Sequence, residues 1–166
     1  MDENGNVYVA DTFPHTIRKI TSSGIVSTLA GFAGSGGAAD GTGTAARFSY
    51  PDGVAVDHAG NVYVADSNNH IIREMTPAGV VTTLAGLSGH SGTNDGIGSV
   101  ARFNYPDGIA VDSAGDIFVA DTVNQTIRAT QPLTTPVSQF ITFAPLPKHS
   151  AGDAPFTLTA SSSAGL

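Results

Sequence analysis

The sequence contains no cysteine, and its 166 residues include only 7 Lys and Arg against 14 Asp and Glu. Without cysteine there can be no disulfide, no thiolate metal site and no cysteine nucleophile. The net charge of −7 offers no basic patch to neutralise phosphates, which argues against nucleic acid and against an anionic membrane surface. Charged residues make up 13% of the chain, about half the usual share for a soluble domain.

Long apolar segments are also missing. No run approaches the roughly 18 residues needed to cross a membrane, so no membrane insertion is predicted. The acidic start, Met1-Asp2-Glu3-Asn4, has none of the apolar core of a signal peptide. We interpret this start as a truncated N-terminus, so the lack of a signal does not predict a compartment.

What the chain does contain is an internal repeat with a step of 55 residues. Residues 40–73 and 95–128 are identical at 21 of 34 positions without a gap. Three kinds of residue recur at this step: Asp11, Asp66 and Asp121; Arg18, Arg73 and Arg128; Gly5, Gly60 and Gly115. The chain is therefore built from repeated copies of one structural unit.

Each unit has the pattern of short strands separated by turns. Apolar runs bounded by turn residues predict strands over 53–57, 62–66, 71–76 and 80–85 in the second unit. The corresponding strands of the flanking units are predicted over 5–9, 15–20, 25–30, 108–112, 117–121 and 126–130. Four antiparallel strands at a fixed step favour a β-propeller over a β-sandwich, whose strands do not repeat their sequence. The predicted fold is all-β: a partial propeller of fewer than three four-stranded blades, followed by an incomplete β tail.

The repeat resembles the NHL repeat. The motif runs from Tyr50-Pro51-Asp52-Gly53 through Gly60-Asn61-Val62-Tyr63-Val64-Ala65-Asp66 to Asn69-His70 and Ile72-Arg73. The third copy departs at Gln125, where the pattern has histidine. The resemblance covers about residues 1–131 and implies a β-propeller, commonly of six blades, whose usual role is binding rather than catalysis.

Three regions are predicted along the chain. Residues 1–131 form the blades, the first of which lacks its inner strand because Met1-Asp2 aligns with Val56-Asp57. Residues 132–138 are a linker. Residues 139–166 resemble the opening strands of an immunoglobulin-like repeat from bacterial surface proteins, truncated before such a domain could close. This second resemblance implies an extracellular or cell-surface location in a bacterium.

A four-stranded meander places alternate loops on opposite faces of the blades. The turn after the second strand (Asp66–His70) therefore shares a face with the connection to the next blade (Leu87–Tyr105). We call this the long-loop face, and we expect a protein or carbohydrate ligand to bind there. Its Asp40-Gly41 and Asp95-Gly96 sequences suggest calcium. A calcium loop needs several acids at alternate positions, however, so a plain turn is the favoured interpretation.

The recurring polar residues are interpreted as structural. A carboxylate at the end of a strand can accept hydrogen bonds from turn amides, which favours turn locks over metal or acid–base pairs. Because Gln125 replaces a histidine, the position does not need a general base. The arginines on the third strand are expected to pair with the aspartates, and two further arginines to hold the long loops against the blades. These residues are Asp11, Asp66, Asp121, His15, His70, Arg18, Arg73, Arg128, Arg47 and Arg102.

Two further acids, Asp52 and Asp107, enter the innermost strands from the long-loop face. If other units repeat them, their carboxylates would surround the mouth of the channel and could hold a cation such as calcium. The alternative is that each carboxylate caps its own Pro-Asp-Gly turn. No other metal site and no catalytic residue is predicted.

Two classes of function fit these patterns. The first is a non-catalytic binding or scaffold module of a longer extracytoplasmic bacterial protein, whose remaining blades would be its immediate partners. The second is a fragment of a propeller enzyme, a metal-dependent lyase or lactonase, whose catalytic residues lie in other blades. The repetition and the absence of a catalytic set favour the first.

Overall fold

The computed structural model describes residues 1–130, together with the backbone of two short strands at 142–143 and 160–161. Residues 1–131 form one compact unit and residues 132–166 another. The predicted linker and most of the immunoglobulin-like segment lie outside the described residues, so the second resemblance stays a prediction. Within the second unit, Thr142–Phe143 pairs antiparallel with Ala160–Ser161.

The first compact unit is all-β, as predicted. Its strands are β1 (Val7–Asp11), β2 (Thr16–Ile20), β3 (Val26–Gly31), β4 (Gly41–Thr42), β5 (Pro51–Val56), β6 (Val62–Asp66), β7 (Ile71–Met75), β8 (Val80–Gly86), β9 (Pro106–Val111), β10 (Ile117–Asp121) and β11 (Thr126–Ala129). Three single 3-10 turns, at Gly43–Ala45, Ser67–Asn69 and Gly98–Val100, complete the regular structure. In this described part of the chain, no helix has the length and apolar character that crossing a membrane requires.

The strands form three antiparallel sheets that follow the repeat. The second unit holds a complete meander in the order β5-β6-β7-β8, whereas the first holds β1-β2-β3 and the third β9-β10-β11. The strand β4, which the sequence did not predict, adds a fifth strand by pairing with β8. Strands β5 and β9 begin two residues earlier than predicted, because an irregularity in each pairing lets Pro51 reach Asp66 and Pro106 reach Asp121.

Short-range turn chemistry explains the sharp hairpin between β5 and β6. The carboxylate of Asp57 accepts hydrogen bonds from the Asn61 amide at 2.8 Å, from the Asn61 side chain at 2.9 Å and from the Tyr63 hydroxyl at 3.1 Å. Gly60 takes the positive φ of 84° that this turn requires. The first unit repeats the arrangement with Asp2.

The core lies between neighbouring sheets rather than within one sheet. Side chains of β6 alternate, so that one set faces the first unit and the other faces the third. Val62 and Val64 pack with Ile17 and Phe48 in one cluster. Tyr63, Ala65 and Ile72 pack with Phe103, Ile117 and Val119 in the other. Each apolar cluster therefore joins two consecutive units, as stacked repeats require.

Candidate functional site on the long-loop face

The carboxylate of Asp66 is fully buried at the end of β6, where it organises the long-loop face. It accepts hydrogen bonds from the Ser49 amide at 2.7 Å, from Asn69 Nδ2 at 2.8 Å and from Arg73 Nη1 at 3.0 Å. Burial raises the pKa of Asp66 to about 6, although these donors act in the opposite direction. Asp66 is thus tied to the long connection that precedes its own blade.

Arg73 on β7 is equally inaccessible to solvent. Besides Asp66, its guanidinium donates to the carbonyls of Arg47 at 2.8 Å and Ala39 at 3.0 Å, and to the carboxylate of Asp40 at 2.7 Å. Its planar fork lies 5.3 Å from the centre of the Phe48 ring. One arginine therefore joins a strand, a turn and the 32–50 connection, a geometry that suits guanidinium and not lysine.

The arginines at the same position in the third and first units, Arg128 and Arg18, differ in how many hydrogen-bond partners they have. Arg128 repeats the contacts of Arg73 with Asp121, Asp95 and two backbone carbonyls. Among the described residues, the Arg18 guanidinium donates a hydrogen bond only to Asp11, at 3.2 Å, and both side chains are 35% exposed. No described segment supplies the first unit with an equivalent of the 32–50 connection, so Arg18 lacks the additional acceptors.

The ion pairs of Arg73 and Arg128 affect whether the Asp40-Gly41 and Asp95-Gly96 sequences can bind calcium. The carboxylate of Asp40 contacts Arg73 and also accepts a hydrogen bond from Thr83 Oγ1 at 3.0 Å. Arg128 occupies the corresponding place beside Asp95. A guanidinium already supplies the positive charge at each position, which disfavours a second cation there. Within the described ranges, no three His, Cys, Asp or Glu side chains come together in a way that could hold a metal ion.

Two further arginines fix the 3-10 turns of the connections. Arg47 donates to the carbonyls of Thr44 and Ala46, and Arg102 donates to those of Ser99 and Ala101. The Arg47 guanidinium also lies 5.0 Å from the centre of the Phe32 ring. Both arginines therefore hold the long-loop face in shape by closing a local turn.

Histidines of one unit contact tyrosines of the next. Nδ1 of His15 accepts a hydrogen bond from the Tyr50 amide at 3.1 Å, and Nδ1 of His70 accepts one from the Tyr105 amide at 3.2 Å. Both histidines have a positive φ, as does Gln125 at the third position. Burial lowers the pKa of His70, which favours the neutral form of the ring that can accept this bond.

These contacts form two exposed groups of aromatic rings, one where the first and second units meet and one where the second and third meet. We call Phe13, Tyr50 and Tyr105 together the aromatic row. The Tyr50 ring lies edge-on to His15 at 4.8 Å and to Phe13 at 6.2 Å, and the Tyr105 ring lies edge-on to His70 at 4.7 Å. Phe13 is 82% exposed, and the two tyrosines are 44% and 46% exposed. The repeat pattern gives no signal for Phe13, because the other units carry Asn68 and Val123 at this position.

The acids proposed for the channel mouth, Asp52 and Asp107, are both exposed. In the described part of the chain, neither carboxylate accepts a hydrogen bond from its own turn. The backbones of these segments do approach closely: a Cβ atom on Gly53 would collide with the carbonyl oxygen of Asp107. Neighbouring Pro-Asp-Gly segments are thus in contact, and a cation held between their side chains stays a proposal.

A cleft of about 310 Å³ lies on the opposite face, between the first and second blades. Its walls include Asp2, Asp57, Tyr8, Lys19 and His58. Hydrogen bonds from Asn6 above all lower the pKa of Asp2 to about 2. At Asp57, burial is the largest influence and acts upward, but the bonds from Asn61 and Tyr63 together outweigh it and lower the pKa. The carboxylates of Asp2 and Asp57 already accept hydrogen bonds from residues of their own turns. Fewer polar groups of the cleft are therefore available to a ligand than the list of its lining residues suggests.

Comparison with known proteins agrees with the repeat pattern. The NHL repeat family matches residues 48–73 and 103–129. NHL repeat-containing protein 2 of Bos taurus is 36% identical over 149 residues, which cover 82% of this chain and 20% of that protein.

Solved structures are also similar to this chain. A structural genomics protein of unknown function from Bacteroides thetaiotaomicron is 32% identical with a TM-score of 0.70, covering 75% of this chain and 32% of that one. An auxiliary nutrient binding protein from the same bacterium is 30% identical with a TM-score of 0.65, covering 75% and 34%. This chain thus spans about a third or less of the length of these relatives. The repeated unit is an NHL repeat, and the chain belongs to the NHL-repeat family of β-propeller proteins.

Proposed function

We propose that this chain is a non-catalytic binding module whose ligand contacts the aromatic row of the long-loop face. The observation that carries the proposal is the exposure of Phe13, Tyr50 and Tyr105 on the long-loop face. Rings that present apolar surface with little conformational freedom are typical anchors of binding sites. The two tyrosine backbones are fixed by His15 and His70, so the rings need little reorganisation to bind.

A carbohydrate is the ligand class that we favour over a protein. Flat aromatic rings offer apolar surface to the C–H faces of sugars, and the net charge of −7 disfavours anionic ligands. Similarity to an auxiliary nutrient binding protein supports a role in nutrient capture. An extracytoplasmic location in a bacterium is part of the same proposal, and it is supported by the similarity to bacterial nutrient binding proteins.

Calorimetric titration of the full chain with a panel of neutral oligosaccharides tests the proposal. Phe13→Ala and Tyr50→Ala should weaken binding at least about tenfold, the effect of losing roughly 1.4 kcal/mol of contact free energy. Ile25→Ala is the matched control, since Ile25 is 65% exposed in the β2–β3 turn on the opposite face. Equal affinities in all four proteins would overturn the aromatic row as the site. An absence of binding to every sugar would favour a protein ligand instead.

A further inference from the structure

Two tyrosine amides of the aromatic row donate hydrogen bonds that only an uncharged histidine can accept. A backbone amide acts only as a donor, so Nδ1 of His15 facing Tyr50 and Nδ1 of His70 facing Tyr105 must each carry a free lone pair. The proton of each neutral ring therefore lies on Nε2. A second proton would occupy Nδ1 and place two donors face to face, so an imidazolium cannot keep the bond.

The backbones of both tyrosines need support of this kind. Tyr50 has a φ of 50° and Tyr105 a φ of 51°, in the left-handed region that bulky residues rarely adopt. Such a conformation persists only where neighbouring groups hold it. Tyr50 has described blades on both sides and is exposed to nearly the same degree as Tyr105, so the exposure does not come from a missing neighbour. Each histidine thus holds the backbone that carries an exposed ring.

The ionisable groups around His70 come from three segments. Asp121 acts on the ring from the third blade, but this carboxylate is already paired with Arg128. His90 is exposed and lies in a turn of the 87–105 connection whose backbone donates to the carbonyl of Asn69. Burial lowers the pKa of His70, so protonation favours states in which the ring has left this environment.

The corresponding neighbours of His15 are Asp66 and Arg73, which form the buried pair of the second blade. Burial raises the pKa of Asp66 to about 6, in the range where histidines titrate. Its carboxylate accepts a hydrogen bond from the Ser49 amide, directly before Tyr50. A test at this junction must therefore separate the histidine from the carboxylate, and replacing the histidine alone does so.

We propose that His15 and His70 are positioning residues that make binding at the aromatic row depend on pH. The neutral rings hold Tyr50 and Tyr105 in place for the ligand, and protonation in mildly acidic solution releases both tyrosines together with the ligand. This inference rests on the proposed function, because it concerns the same site. Gln125 supplies a natural substitute for the histidine: it has the same positive φ and carries no group that titrates in this range.

Amide hydrogen exchange on the full chain, corrected for the intrinsic effect of pH on exchange, tests the two bonds without a ligand. In the wild type, the protection of both tyrosine amides should fall by up to about tenfold per pH unit between about pH 7 and about pH 5. His70→Gln should make the protection of Tyr105 independent of pH while that of Tyr50 still changes, and His15→Gln should give the converse result. Each variant is thus the control for the other. Constant protection in the wild type, or a dependence on pH that persists at Tyr105 in His70→Gln, would overturn the proposal.

Calorimetric titration with the same panel of neutral oligosaccharides connects these bonds to binding. The wild type should bind at least about tenfold more weakly at about pH 5 than at about pH 7, whereas the double variant His15→Gln/His70→Gln should bind equally at both. A sugar that binds the wild type equally well at both values would overturn release of the ligand by acid. If no sugar binds at either pH, the proposed carbohydrate function fails, and hydrogen exchange alone decides whether the histidines control the site.

Discussion

Asp66 and Arg73 form an ion pair of 3.0 Å in which neither side chain is accessible to solvent. A buried pair of this kind is costly to break, because the remaining partner keeps its charge in a medium of low dielectric constant. Arg73 also binds two carbonyls and Asp40, so its loss would free several groups at once. The Asp66–Arg73 pair therefore links the 32–50 connection and the turn after β6 to the second blade.

Replacing Arg73 by leucine should lower the free energy of unfolding by about 3 kcal/mol. The matched change Arg18→Leu should cost less than about 1 kcal/mol, since the Arg18–Asp11 pair is 35% exposed and has no further partners among the described residues. Urea unfolding followed by circular dichroism measures both. Equal losses of unfolding free energy in the two variants would mean that burial does not determine how much the recurring arginine stabilises the fold.

Replacing Gly53 by alanine should separate the second and third blades. The new Cβ would collide with the Asp107 carbonyl oxygen, and relieving this contact should cost about 1–3 kcal/mol. In Gly108→Ala, the nearest atom would be the Ala120 Cβ at 3.5 Å, an ordinary contact, so the change should stay within about 0.5 kcal/mol. Thermal unfolding of the two variants under one condition makes the comparison. A larger loss for Gly108→Ala than for Gly53→Ala would contradict the observed packing.

His70→Gln should be tolerated, whereas His70→Val should not. Gln125 occupies the equivalent position with φ of 57°, close to the 59° of His70, while a β-branched residue is strongly disfavoured at positive φ. We expect a loss of about 2 kcal/mol for the valine variant and less than half of this for glutamine. Amide hydrogen exchange at Tyr105 reports the contact directly and should accelerate in the valine variant. Unchanged exchange would show that the histidine does not hold the neighbouring unit.

Asp57 should make the chain sensitive to acid. Its pKa in the folded state is lower than the ordinary value of 3.8, so the folded state binds this proton less readily than the unfolded state. The stabilisation is therefore complete above the unfolded pKa and is lost as the pH falls through the folded pKa. The wild type should be more stable than Asp57→Asn at about pH 6, and the difference should shrink towards about pH 2. A difference that is constant with pH would contradict this sign.

The acids of the Pro-Asp-Gly segments give a prediction about calcium. If Asp52 and Asp107 hold a cation between neighbouring blades, calorimetric titration with calcium should give heat in the wild type and none in an Asp52→Asn/Asp107→Asn variant. Asp116→Asn is a control for the loss of an acid away from these segments, because Asp116 lies in the β9–β10 turn at the other end of the strands. Equal or absent heats in the wild type and the double variant would rule out this site.

The sequence by itself determined the secondary structure of the repeating unit. Its 55-residue step, its apolar runs and turn residues such as Gly60 located every strand of the repeat except β4. This succeeded because hairpins are specified by residues close to one another in the chain. The same local logic indicated that Asp66 and Arg73, seven residues apart on adjacent strands, could pair.

Only the tertiary structure decided how the units meet. The bond from the Tyr105 amide to His70 spans 35 residues, and the contact of Arg73 with Asp40 spans 33. Pairing of β4 with β8, the approach of Gly53 to Asp107 and the exposure of Phe13 likewise depend on how one blade packs on the next. A repeat pattern states what each unit contains, whereas contacts between units follow from close packing, which no local sequence signal encodes.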